Sequence, residues 1–233
     1  MFLLNFLAAL FFTVSGPEQL SGPDTLYIST QHAKTDSLRE NQILYRGKIW
    51  RNLHTAVVGD QFLFSADYLM GSVSTSGKIF RNIPLKYDIY HDELISSTNH
   101  NIMVQLNKEL IDSFTLTYGG NTYDFVRIDS AREFSGYVNI LYNGTKSFYV
   151  KYKKNIELLA VDRKFDRFYD SHKMYLVSDS LTNQFAGRLQ LYSLMGDYKK
   201  QVRSHVKKNK LLITRQRPES FVPVIKFYDN LQH

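Results

Sequence analysis

The stretch from Gly71 to Ile95 limits the possible folds of this chain most strongly, because its apolar residues alternate with polar ones. Successive side chains of a strand point to opposite faces of the sheet, so such alternation predicts a strand with one buried face. The residues expected on the buried face are Ile79, Ile83, Leu85, Tyr87 and Ile89, and those on the other face are Asn82, Lys86 and Asp88. Gly77, free to adopt positive φ, marks the preceding turn and predicts a β-hairpin.

Similar short apolar segments recur along the chain, and most are separated by a few residues with glycine among them. They lie at 43–50, 61–64, 102–106, 114–118, 123–128, 136–142, 147–152 and 174–177. Parallel strands need crossovers of a dozen or more residues, and no helix-length periodic segment occurs between residues 42 and 150. The sequence therefore predicts a mainly β domain over residues 42–178, an antiparallel meander, half-barrel or sandwich of about 8–10 strands.

Three local patterns add detail to this β domain. Asn143-Gly144 between two strands is typical of a two-residue type I′ turn. Residues 153–173 mix cations, carboxylates and aromatic side chains, and we expect a long loop or irregular hairpin at the sheet edge. Trp50, the only tryptophan, is expected to be a half-buried anchor on the first strand.

The first residues predict export from the cytoplasm. Residues 1–16 combine an apolar run, too short to span a bilayer, with small residues at Val14-Ser15-Gly16, as in a secretory signal peptide. Residues 17–41 form a polar lead-in, and no later run is long and apolar enough for a transmembrane span. The chain contains no cysteine, so packing alone must hold the exported fold. We expect a periplasmic, outer-membrane-associated or extracellular protein.

Positive charge is concentrated at the C-terminal end. Residues 196–233 contain nine Lys or Arg and three Asp or Glu, whereas the first 16 residues contain none of these. Asp197 can cap a helix to about Lys208, whose apolar stripe is Tyr198, Val202 and Val206. We expect residues 179–233 to form a basic helical segment packed on the β domain.

Five cations on that helix are the one functional signal with a physical mechanism. They are Lys199, Lys200, Arg203, Lys207 and Lys208. Such a cluster favours phosphate or carboxylate partners. In an exported protein these are lipid headgroups, lipopolysaccharide phosphates or an acidic envelope protein rather than nucleic acid. A solvated helix face is the alternative interpretation.

Other constellations do not predict chemistry. His91-Asp92-Glu93 offers metal-ligand side chains, but only His91 and Glu93 can share a face of a strand, and no second histidine lies at a ligand spacing. Ser204-His-Val-Lys207 matches the S-x-x-K pattern of some acyl enzymes without the partner motifs. We therefore predict no catalytic residue, no metal site and no cofactor, and we interpret His91-Asp92-Glu93 as a polar turn.

Several short motifs carry a resemblance to a known group. They are Tyr45-Arg-Gly47, Gly59-Asp-Gln-Phe-Leu-Phe64, Gly71-Ser-Val73, Gly77-Lys78, Leu85-Lys-Tyr-Asp-Ile-Tyr90 with Asp92-Glu93, Lys207-Lys-Asn-Lys210 and Phe227-Tyr-Asp229. Together they resemble a group of uncharacterised exported β-rich envelope proteins of the Bacteroidota, over about residues 42–230. The resemblance implies an envelope protein with a β-rich body and a short helical C-terminus, and it implies no reaction.

Three functional hypotheses remain open on the sequence. The first is a non-enzymatic envelope protein acting as a binding or assembly module. The second is a hydrolase of envelope glycans or lipids, and the third is a carrier with an apolar cavity between curved strands.

Overall fold

The computed structural model describes residues 44–45, 47–98, 100–129, 135–158, 165–178 and 181–232. The predicted signal peptide and polar lead-in lie outside the described residues. The predicted mainly β fold is confirmed, since strands make up 47% of the described residues and form one open antiparallel sheet. The sheet has eleven strands: β1 Lys48–Ile49, β2 Leu69–Thr75, β3 Lys78–Asp88, β4 Glu93–Ser97, β5 Met103–Gln105, β6 Ser113–Tyr118, β7 Asn121–Ile128, β8 Gly136–Tyr142, β9 Ser147–Glu157, β10 Arg167–Ser178 and β11 Leu181–Phe185.

The strand order across the sheet is β1-β5-β4-β3-β2-β6-β7-β8-β9-β10-β11. Three short helices follow the sheet: α1 Arg188–Ser193, α2 Lys199–Lys208 and α3 Val222–Asn230. The sheet thus continues through β11, past the boundary expected at residue 178. In the part of the chain that the structure describes, no helix is both long and apolar enough to cross a membrane.

The central hairpin is confirmed, with one correction. Ser76 and Gly77 both have positive φ, 50° and 76°, which is the geometry of a tight type I′ hairpin turn. The bulge lies at Asn82, with φ 56°, where the pairing of β2 with β3 shifts register. The extra residue of a bulge reverses which side chains face inward. Ile79 is therefore 58% exposed, contrary to the prediction, and Phe80 is buried in its place.

The sheet is strongly curved. The rings of Tyr87 on β3 and Tyr137 on β8 lie 5.9 Å apart between centres, although β2, β6 and β7 separate their strands in the sheet. The backbone N–H of Lys154 on β9 donates to the carbonyl of Ile89, just beyond β3, at 3.1 Å. Residues 57–62, which we call the clasp, also connect the two parts of the sheet that the curvature brings together. Val58 of the clasp pairs with β10, and Phe62 pairs with β3.

Curvature encloses an inner core on the concave side. Aromatic rings dominate it, and those of Phe114 and Phe125 stack at 4.7 Å while Tyr87 meets both edge to face. Leu85, Leu116 and these three aromatic residues are 1% exposed or less. The concave interior is therefore filled by the protein's own side chains.

A second core lies under the helices. Phe221 contacts the rings of Phe148 on β9 and Phe185 on β11. Val202 and Val206 of α2 and Ile225 of α3 are buried in the same cluster. The predicted stripe of α2 is thus the face that holds the helix on the sheet.

One prediction about a loop is wrong. Asn143-Gly144 lies in a four-residue connection from 143 to 146, and neither residue has positive φ. The buried carboxylate of Asp229 on α3 accepts hydrogen bonds from the N–H of Lys146 at 2.8 Å and the hydroxyl of Tyr142 at 2.9 Å. Docking of α3 therefore decides the shape of this loop.

The described part of the mixed-charge segment 153–173 lies in a hairpin, one of the two alternatives predicted for it, although the strand pairing is regular. β9 and β10 pair without interruption from Ser147 opposite Val177 to Glu157 opposite Arg167. Lys154 is 8% exposed, and its ammonium reaches Asp60 in the clasp at 3.2 Å. Polar residues in this hairpin thus pair with neighbouring segments. Trp50 follows β1, half-buried as predicted, with its ring 5.7 Å from that of Phe62.

Candidate functional site

Helix α2 presents its cations on the faces that the core does not use. Val202 is fully buried and Val206 is 8% exposed, whereas all five predicted cations are exposed. Contrary to the prediction, Asp197 does not cap the helix. It lies in a 3₁₀ turn, Gly196–Tyr198, and the helix begins without a side-chain cap.

A groove of about 650 Å³ runs between α1, α2 and the segment that follows α2. We call it the cationic groove, and its exposed lining consists mainly of Arg188, Leu189, Arg203, Lys207, Lys210 and Leu212. The cations come from three chain segments, and the fold brings them to one concavity.

The structure divides the predicted site residues between two flanks of α2. Arg203 and Lys207 line the cationic groove. Lys200 and Lys208 line a separate concave surface on the other flank, and Lys199 lines neither.

Arg188 and Lys210 belong to the groove but were not among the predicted site residues. Lys210 is two residues past the end of the helix at Lys208, and Arg188 opens a helix too short to show an apolar period. Only the packing of α1 against α2 places them there.

The groove cations are not paired within the described part of the chain, where no carboxylate oxygen lies within 4.0 Å of any of them. Arg203 and Lys207 are four residues apart, a spacing at which like charges destabilise a helix by about 0.2–0.5 kcal/mol. Lys199 and Lys200 lie in a first turn without an acidic residue, where the helix dipole disfavours cations. Lys207 and Lys208 lie in the last turn, where the helix dipole favours cations. Helix stability therefore explains the cations of the last turn but not those of the first turn or Arg203.

Two leucines beside these cations are the most exposed large apolar side chains around the helices. Leu189 is 79% exposed and Leu212 is 83% exposed, and both line the cationic groove. Single exposed leucines are ordinary on protein surfaces. Here two line the same groove as four cations, so the groove combines exposed apolar side chains with positive charge.

A second set of cations, unlike those of the groove, is paired with a carboxylate, that of Asp92. Its carboxylate accepts hydrogen bonds from the hydroxyl of Tyr87 at 2.5 Å and from the ammonium groups of Lys108 at 2.5 Å and Lys151 at 2.8 Å. Gly136 has φ 93°, and a β-carbon there would lie 1.8 Å from this carboxylate.

The pKa values of this Asp92 cluster follow from burial. Desolvation, more than the attraction of Asp92, sets the direction for Lys151 and lowers its pKa. Burial raises the pKa of Tyr87 and of Tyr137, and the negative charge of Asp92 adds to both shifts. Paired and mostly buried, these groups fasten the curved sheet.

A third cluster surrounds the turn between β3 and β4. Asp88 is fully buried, and one oxygen of its carboxylate lies 2.9 Å from Nδ1 of His91. His91 and Glu93 line one cavity of about 300 Å³, while Asp92 turns away with φ 63°. His91 and Glu93 thus share a face, as the strand alternation predicts. Burial raises the pKa of the Glu93 carboxyl, although nearby His91 opposes the shift.

Comparison of this chain with protein-family models, with curated proteins and with solved structures found no match. The resemblance to Bacteroidota envelope proteins therefore stays a prediction, and functional inference depends on the geometry described above.

Proposed function

We propose that this chain is a non-enzymatic, exported envelope protein whose cationic groove binds an anionic membrane surface. The observation that carries the proposal is the set of four unpaired cations, Arg188, Arg203, Lys207 and Lys210, around two exposed leucines. The predicted localisation, periplasmic or outer-membrane-associated, is part of the same proposal.

The two kinds of side chain suit the two layers of a membrane interface. Each Lys or Arg near an anionic lipid surface contributes about 1 kcal/mol, and this attraction weakens with added salt. Exposed leucines bury their side chains at the boundary between headgroups and acyl chains. Four cations alone would therefore give roughly 4 kcal/mol at low ionic strength.

The groove also supports a binding role over a catalytic one. Ser204 and Lys207 of the S-x-x-K pattern both line it, but both are exposed, and no hydrogen bond joins them in the described structure. The filled inner core favours binding at the surface rather than carriage of an apolar ligand between the strands.

The proposal is tested by co-sedimentation of the purified chain with vesicles. Three compositions distinguish the source of the phosphate: phosphatidylcholine alone, phosphatidylcholine with phosphatidylglycerol, and phosphatidylcholine with lipopolysaccharide. We expect binding to the anionic vesicles only, and it should decrease between 50 and 300 mM salt.

Matched variants separate position from total charge. The groove variant carries Arg188→Gln, Arg203→Gln, Lys207→Gln and Lys210→Gln, and its control carries Lys199→Gln, Lys200→Gln, Lys208→Gln and Lys226→Gln. We expect the groove variant to lose at least tenfold in vesicle affinity and the control less than threefold. Equal losses of vesicle affinity in the two variants would mean that binding depends on net charge and not on the groove. If the chain recovers a stoichiometric envelope protein instead of lipid, its partner is an acidic protein and not a membrane surface.

A further inference from the structure

The carboxylate of Asp88 has no free acceptor position. One oxygen accepts the backbone N–H groups of Tyr90 at 2.9 Å and His91 at 3.0 Å. The other accepts the side-chain amide of Gln61 at 3.0 Å and faces Nδ1 of His91 at 2.9 Å. An ionised carboxylate offers about four acceptor sites, and here all are used. Asp88 therefore positions its neighbours and has no site left for a ligand.

This arrangement fixes the tautomer of His91. A carboxylate only accepts hydrogen bonds, so Nδ1 of His91 carries the proton, and Nε2 of the neutral ring keeps its lone pair. The rings of Tyr90 and His54 pack against the imidazole, with centres 4.8 Å and 5.4 Å from it. His91 is thus held in one orientation, with Nε2 available.

Glu93 lies beside this histidine without a partner of its own. In the described part of the chain no hydrogen bond reaches its half-buried carboxylate, and no cation lies within 4.0 Å of it. One ring nitrogen of His91 and one oxygen each of Asp88 and Glu93 lie within 4.8 Å of one another. A half-buried carboxylate without a partner lies next to an oriented imidazole, so the two side chains offer metal-ligand atoms that are not otherwise used.

We propose that His91 and Glu93 bind a divalent first-row transition-metal ion, for which Zn²⁺ is the probe. Nε2 of His91 and the carboxylate of Glu93 are the ligands, and water completes the coordination. Asp88 takes the part of the carboxylate that orients a metal-binding histidine through its other nitrogen. Imidazole and carboxylate together suit zinc better than magnesium or calcium, which prefer all-oxygen sites.

This proposal departs from the prediction of no metal site, and the reason is Asp88. In the sequence, His91-Asp92-Glu93 stands as an isolated polar triplet in which nothing orients the histidine. Folding of the β3–β4 turn adds Asp88 to the cluster and removes Asp92 from it. The position of an Asp just before a turn, where its side chain accepts the next backbone N–H groups, was the available signal.

Calorimetric titration of the purified, chelator-treated chain with Zn²⁺ tests the site. We expect saturable binding of one ion with a dissociation constant below about 1 mM, and no saturation by Mg²⁺ or Ca²⁺. His91→Ala and Glu93→Gln should each weaken binding at least tenfold, and Asp88→Asn by about 10–100-fold. His100→Ala and His205→Ala, which remove histidines elsewhere, serve as controls and should leave the affinity unchanged.

Nitrogen-resolved NMR of the histidine rings gives a readout that a purely structural role would not move. Zn²⁺ should shift Nε2 of His91 while Nδ1 keeps its proton. Unchanged affinity in His91→Ala would overturn the proposal, as would the absence of saturation in the wild-type chain. Glu93→Gln preserves side-chain volume, so it remains informative if His91→Ala fails to fold. Vesicle binding should be the same in all these variants, which keeps this proposal separable from the membrane proposal.

Discussion

Two groups of cations in this protein differ in whether a carboxylate lies next to them. Lys108 and Lys151 converge on the carboxylate of Asp92, inside the curve of the sheet. Arg203 and Lys207 lie on an exposed helix face, where the described structure gives them no carboxylate. Cations that serve the fold are paired because burial makes an unpaired charge costly. Cations that remain unpaired in water cost little and stay available to a partner.

The substitution with the largest expected effect on stability removes the carboxylate that the paired cations share. Asp92→Asn keeps the side-chain shape and suits the positive φ of this position, but it leaves Lys108 and Lys151 without their anion. We expect a loss of about 3 kcal/mol in the free energy of unfolding, at the lower end of the cost of breaking a buried ion pair. Urea denaturation followed by circular dichroism measures it.

Asp124→Asn makes the same chemical change at an exposed carboxylate and serves as the control. Its unfolding free energy should change by less than about 0.5 kcal/mol. An equally small change in Asp92→Asn would mean that the cluster does not hold the sheet.

Alkaline pH probes the same cluster without a mutation. The pKa values of Tyr87 and Tyr137 are raised above 10.0 in the folded protein, so their contribution is fully present below pH 10 and is lost as pH rises above it. Each tyrosine then removes about 1.4 kcal/mol of stability per pH unit. Lys151, with a lowered pKa, acts in the opposite direction and gains stability as pH rises through its folded pKa.

Absorbance at 295 nm against pH measures this titration. Tyrosines of the inner core should ionise only together with unfolding. Complete, reversible tyrosine ionisation near pH 10 in a protein that stays folded would contradict the expected burial.

The smallest expected effect on stability belongs to the cationic groove. Arg203→Gln with Lys207→Gln removes the like-charge pairs that Arg203 makes with Lys199, Lys200 and Lys207. It also removes a last-turn cation that the helix dipole favours, so the two effects oppose each other and the unfolding free energy should change by less than about 1 kcal/mol. Thermal unfolding compares the variant with the wild type. A loss of more than 1 kcal/mol would show that these cations stabilise the fold and would place them with Lys108 and Lys151.

Patterns confined to a few neighbouring residues were predicted well. Ser76-Gly77 forms the expected turn, and Val202 and Val206 form the buried stripe of α2, because turn geometry and helical period depend on adjacent residues. The sequence contains no comparable signal for the bulge at Asn82, which shifts the pairing with β2 and turns Ile79 outward.

Features that depend on distant segments of the chain were not predicted, because patterns among adjacent residues do not record contacts made across the fold. Asp229 reshapes the loop at Asn143-Gly144 from more than 80 residues away. Lys154 is buried because Asp60 in the clasp reaches it across the gap in the sheet. For the candidate sites, Arg203 and Lys207 were predicted from sequence. His91 and Glu93 were considered as metal ligands but interpreted as a polar turn. Arg188, Lys210 and Asp88 join them only through packing or turn geometry.

The clasp at residues 57–62 has a consequence for how the protein forms. It contacts β10 more than 100 residues later in the chain, so it gains its partners only after nearly the whole sheet has been synthesised. Contacts between such distant residues are slow to form. Until they do, the aromatic interior stands open on one side, and the newly made chain is prone to aggregate for that interval.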